Sequence, residues 1–183
     1  MLTKPNCPVI ALEEHYLDEE IASHFTGLET RRAPDMEKRL LDLGELRLKE
    51  MDEARIDVQV LSHQAPSSQK LPADVAVAVT RRANDRLAAT IAAHPARFAG
   101  FAALPTADSE AAADELERSV TELGFKGAMI HGLADGVFVD ANASGRSLPA
   151  PKNSTCRSTC IPPCRTRRSW MPTTRITRRT SPW

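Results

Sequence analysis

Val9-Ile10-Ala11-Leu12-Glu13-Glu14-His15 is the stretch whose reading decides the fold of this chain. It begins as a short apolar run and ends in two carboxylates and an imidazole. Strand side chains alternate faces, so regular alternation groups Ala11, Glu13 and His15 on one face. Ile10, Leu12 and Glu14 fall on the other. A carboxylate and an imidazole two residues apart at a strand end can reach one divalent ion, since both are ordinary ligands for zinc or a similar metal. From spacing alone, the competing reading is a solvated polar strand end.

Three more apolar runs follow: Val58-Gln59-Val60-Leu61, Phe98 through Leu104 before Pro105, and Gly127-Ala128-Met129-Ile130 before His131-Gly132. Short runs of this kind suit strands buried on both faces of a parallel sheet. Helical patterns lie between them. Asp74 to Ala93 carries Val75, Val79, Ala83, Leu87 and Ile91 as one stripe. Ser109 is placed to cap a helix with Ala112, Leu116, Val120 and Leu123 inward, which Gly124 ends. Leu40 to Glu53 reads as a further helix, with Leu41, Leu48 and Met51 buried.

The order β-α-β-α-β-α-β predicts a parallel α/β fold. No Gly-rich phosphate loop follows any strand, which favours a barrel over a nucleotide-binding sheet. A doubly wound four-strand sheet fits the length but leaves the polar end of the first strand unexplained. An eight-unit barrel takes about 250 residues. The expected fold is therefore the N-terminal half, about four βα units, of a TIM-type (β/α)8 barrel. Its C-terminal rim is where such barrels keep their active sites. His63 and His131 end strands on that rim, so both are candidate substrate contacts. His24 and His94 read as surface residues.

Charge divides the chain. All 24 acids of the 183 residues lie at or before Asp140, which gives residues 1–140 a net charge of −9 and residues 141–183 a net of +9. Of the 43 residues from Ala141, 27 are Arg, Pro, Ser or Thr, too many for any apolar periodicity to survive. The expected organisation is a partial barrel over 1–140 and an irregular or disordered tail over 141–183. No run approaches the ~20 apolar residues of a membrane span, and no basic-then-apolar leader opens the chain. Only Cys7 lies in the body, so the body reads as cytoplasmic.

Ile10-Ala11-Leu12-Glu13-Glu14-His15-Tyr16 resembles the opening of the amidohydrolase-related decarboxylases that act on hydroxylated benzoic acids. Further segments agree in order: Arg47 to Asp52, Arg81 to Asp85, Arg97 to Pro105 and Leu123 to Ala128. The resemblance covers about residues 8–140. It implies a metal-dependent carboxy-lyase with Glu13 and His15 as ligands to one divalent metal, zinc or manganese. A histidine on strand five and an aspartate on strand eight would complete that site, so it is incomplete here. The substrate would be a small carboxylic acid, and the parent enzyme a homo-oligomer. The alternatives are a metal-dependent amidohydrolase or lactone hydrolase on the same site, and an inactive fragment. His63 and His131 depart from the polar residues that relatives carry at those places.

The tail has three readings. A disordered basic segment could hold nucleic acid by charge. Cys156, Cys160 and Cys164 suggest a metal module, but the spacing lacks the usual paired C-x2-4-C ligands. The third reading is a shifted frame. If each codon's last base joins the next codon's first two, Trp170-Met171 forces Asp and Met171-Pro172 forces Ala. Cys160-Ile161 then allows only His or Tyr. The same exercise from Ala141 permits a helix, a turn and a fifth strand ending in Leu-His-Pro. The shifted frame is the reading preferred here.

Overall fold

The computed structural model describes residues 5–26 and 32–132, together with the backbone of 157–161. Over residues 5–132, four strands alternate with three helical blocks. Strand β1 is Ile10–Tyr16; helices α1, α2 and α3 are Glu19–Ser23, Pro34–Leu41 and Glu45–Ala54. Strand β2 is Val58–His63, followed by a 3-10 turn over Ser67–Lys70 and helix α4, Ala73–Ala93. Strand β3 is Phe98–Gly100, helix α5 is Ser109–Thr121 and strand β4 is Gly127–His131. All strand pairs are parallel, in the order β1-β2-β3. A single bridge, Ala102 to Ala128, carries the sheet on to β4. This is the front part of a parallel barrel.

The expected helix over Leu40–Glu53 is two helices. Asp42 accepts hydrogen bonds from the Gly44 and Arg47 backbone N–H groups at 3.0 and 3.1 Å, which turns the chain between α2 and α3. Leu41 is 37% exposed as a result, not buried. The cap of α5 is Asp108, one residue before the expected Ser109; its carboxylate accepts from the Glu110 and Ala111 N–H groups.

One face of the sheet packs on the helices. Leu61, Phe98, Ala102, Leu104, Ala128 and Ile130 form its core with Met51, Leu87, Ala112, Leu116 and Phe125. Burying each large side chain there stabilises by roughly 2 kcal/mol. Gly100 lets α4 come close: a Cβ would meet Ile91 Cδ1 at 2.8 Å. Buried Asn84 joins the layers. It exchanges two 3.0 Å bonds with the Ala103 backbone and donates to Glu115 at 2.8 Å.

The tail departs from expectation at one place. Arg157–Ile161 forms a fifth strand, β5, parallel to β4 and paired from Gly127↔Arg157 to His131↔Ile161. Parallel pairing needs only main-chain N–H and C=O groups, so a segment without apolar alternation can supply it. The domain boundary expected near 140, and Cys156 and Cys164, lie outside the described residues.

Candidate metal centre

The C-terminal rim is built around an irregularity in β1. Ala11 pairs with Gln59 and Glu14 with Leu61, so three steps on β1 match two on β2. Leu12 and Glu13 together oppose Val60, which is a β-bulge. Glu13 carries the strain, at φ 60°. Regular alternation had placed Ala11 with Glu13 and His15. The bulge breaks that phase: Ala11 and Glu14, three apart, share the helix-packed face with Gln59 and Leu61. Beyond it, His15 pairs with Ser62 and Tyr16 with His63. Neighbours in parallel register project to the same side, so His15 and Ser62 face the barrel interior.

Arg47 fixes the end of β1 from behind. It is 9% exposed, and its guanidinium donates to the carbonyls of His15 (2.9 Å), Arg39 (3.1 Å) and Asp42 (2.9 Å). Burial lowers its pKa, while the Glu14, Asp42 and Glu50 charges oppose that fall.

On the interior face, His15 Nδ1 lies 2.9 Å from Ser62 Oγ. Nε2 of His15 has no hydrogen-bond partner among the described residues. The His131 ring stands edge-on to it, with centroids 5.6 Å apart. His131 Nε2 is 2.7 Å from the His63 carbonyl oxygen, so that nitrogen carries the proton and donates. Partial burial lowers the His131 pKa first of all, and the nearby His15 adds to this. The Glu13 carboxylate acts on the same ring in the opposite sense, so its charge lies within electrostatic reach of His131. Gln69, 3% exposed, accepts the His131 backbone N–H at 2.6 Å.

His63 lies elsewhere. Next to Ser62 in the strand, it faces the helices, and it is 2% exposed. Its Nδ1 donates to the Gln64 carbonyl at 2.7 Å, and its Nε2 accepts the Asp18 N–H at 3.0 Å. Neither nitrogen is left for a substrate, which corrects the expectation that His63 lines the site. Burial pulls its pKa down to about 4, so the ring is neutral. The same alternation that groups His15 with Ser62 excludes His63, and the sequence contains that signal. Around it stand Tyr16, edge-on at 5.3 Å, and Asp18. Asp18 caps α1 and takes two 2.8 Å bonds from Arg86. Sequence reading missed Ser62, Gln69, Asp18 and Arg86, whose partners across the fold lie 45 or more residues away.

Glu13, exposed at the β1 bulge, and His15, whose Nε2 has no hydrogen-bond partner among the described residues, are both ligand types that suit a divalent cation. No group of three or more His, Cys, Asp or Glu side chains among the described residues is arranged to hold a metal ion. No described helix is long and apolar enough to cross a membrane.

Comparison with known proteins gives these residues a context. A family profile described as Amidohydrolase matches residues 14–148. The chain is 45% identical over 145 residues to a γ-resorcylate decarboxylase of Rhodococcus jostii, which covers 78% of this chain and 44% of that one. It superposes, with TM-score 0.61 and 45% identity, on a dihydroxybenzoic acid decarboxylase from Polaromonas sp. solved with manganese and the inhibitor 2-nitroresorcinol; 68% of this chain and 38% of that chain are covered. It superposes with TM-score 0.70 and 31% identity on a manganese-bound 5-carboxyvanillate decarboxylase of Novosphingobium aromaticivorans, covering 74% and 44%. The chain thus spans about two fifths of the length of the relatives it matches.

Proposed function

This chain belongs to the amidohydrolase family, and from that premise we propose that it is the front half of a metal-dependent, non-oxidative decarboxylase of an aromatic or related unsaturated carboxylic acid. The observation that carries the reading is the C-terminal end of β1, where Glu13 sits at the bulge and His15, two residues on, keeps Nε2 without a hydrogen-bond partner among the described residues. Glu13 and His15 Nε2 would hold one divalent cation, zinc or manganese, and manganese occurs in the related structures. Such a cation supplies Lewis-acid polarisation and a template for the substrate carboxylate. His131 offers Nδ1 as a hydrogen-bond acceptor, because its Nε2–H is tied to the His63 carbonyl. In the overall reaction the bond from the ring carbon to the carboxylate breaks, carbon dioxide leaves and the ring carbon gains a proton. The acid that gives that proton would lie beyond the strands of this chain.

The tail reading as a shifted frame gains support from β5. The permitted Leu-His-Pro in the shifted frame spans codons 159 to 162. In the observed register Cys160 and Ile161, which share the histidine triplet, stand beside Ile130 and His131 at the rim. The restored frame would thus bring its histidine level with the interior site. Sequencing the gene across codons 135–185 tests this; an intact frame encoding the same tail in close genomic relatives overturns it.

With two ligands, the chain as written is expected to bind zinc or manganese weakly and to show no turnover. Calorimetric titration giving micromolar or tighter binding that Glu13→Ala abolishes would contradict this. The frame-restored protein is expected to release carbon dioxide from a hydroxylated benzoic acid. Release of a hydrolysis product instead would favour metal-activated attack of water on a lactone or amide.

A further inference from the structure

We infer that Ser62 is a positioning residue for cation binding at His15, an assignment that rests on the metal reading of the rim. Ser62 is fully buried, pairs in register with His15 and places Oγ 2.9 Å from its Nδ1. No other side chain among the described residues touches that nitrogen. A ring that gives Nε2 to a cation carries its proton on Nδ1, and that proton needs an acceptor. Ser62 Oγ is the acceptor in place. A hydroxyl can also donate, so it keeps the bond when the ring is in its other tautomer. Ser62 therefore holds the ring plane fixed in both states, with Nε2 turned away from the hydroxyl. The neighbouring His131 ring, 5.6 Å away, is held by a stricter device. There the His63 carbonyl can only accept, so His131 is confined to a single tautomer.

The test follows the ring nitrogens of His15 by NMR in the 15N-labelled 183-residue chain, titrated with zinc(II) alone. In the wild type, zinc is expected to shift Nε2 while Nδ1 keeps a slowly exchanging proton. Ser62→Ala is expected to weaken zinc binding at His15 by about 10–100-fold, the range typical for lost outer-shell partners. Its thermal unfolding and the His131 signals should not move. Ser62→Thr, which retains the hydroxyl, should recover the affinity. If the Thr variant does not fold, the Nδ1 proton of the zinc-bound wild type decides alone. Zinc affinity unmoved by Ser62→Ala, or zinc taken up at Nδ1, overturns the Ser62 assignment while leaving the metal reading intact. No zinc response at His15 or Glu13 in the wild type overturns both.

Discussion

On the interior face of the sheet, His15 and His131 each keep one ring nitrogen without a hydrogen-bond partner among the described residues; on the helix-packed face, one residue from Ser62, His63 keeps neither. Near His15, the β1 bulge holds an exposed carboxylate, Glu13, on a strained backbone. The outer face holds Tyr16, Asp18 and His63, all under 10% exposed, with Asp18 paired to Arg86. Residue type does not separate the two sets, since both contain carboxylates and imidazoles. Among the imidazoles, saturation does: hydrogen bonds fill both nitrogens of His63, while His15 and His131 each keep one nitrogen without a hydrogen-bond partner among the described residues. Tyr16 stands apart from this rule, because its buried hydroxyl has no hydrogen-bond partner among the described residues.

That contrast can be broken from either side. The largest expected effect is on the outer face. Asp18→Ala removes the α1 cap and strips Arg86 of its buried partner, and should cost about 3 kcal/mol in urea unfolding. A loss under about 1 kcal/mol would mean the outer network contributes little. Acid gives an effect of similar size. The folded-state pKa of His63, about 4, lies below its ordinary 6.5, so the unfolded chain takes up the proton first as pH falls. The His63 contribution is intact above pH 6.5 and declines from there to about pH 4, by up to about 3 kcal/mol. Unfolding curves of the wild type and His63→Phe between pH 7.5 and 4 measure it; the variant should flatten this part of the profile. The smallest effect has the opposite sign. Glu13→Gly relieves a positive φ at an exposed position, and should raise stability by about 1 kcal/mol while abolishing cation binding. Scanning calorimetry with and without zinc separates the two; a destabilised variant would show that Glu13 is not strained.

The comparison also explains which features could be read in advance. The four strands and the long helix α4 were legible because apolar period and punctuation repeat over many residues. The stripe Val79, Ala83 and Leu87 is buried as its spacing predicts. That β1 ends in a carboxylate and an imidazole was legible because Glu13 and His15 are close in sequence. The bulge was not, since nothing in Leu12 or Glu13 announces an extra residue; it exists only in the match to β2. The side that His63 faces is set by alternation in β2, where Ser62 takes the interior and His63 the helices, and a strand-end position alone does not carry that information. Asp18, Arg86, Ser62 and Gln69 stayed hidden because each acts through a partner far along the chain. The break between α2 and α3 at Asp42-Leu43-Gly44 interrupts a pattern that apolar spacing alone had joined.

The bulge at Leu12 and Glu13 has a consequence for the kinds of sequence change this strand can absorb. The two halves of β1 are one residue out of phase, and the excess is spent entirely opposite Val60. Removing one codon there would leave Ala11 facing Gln59 and Glu14 facing Leu61, with the ladder on both sides intact. Elsewhere in β1 the same deletion would turn every following side chain over. Length variation at this one site is therefore nearly silent for folding, and its cost falls on the aim of a single carboxylate.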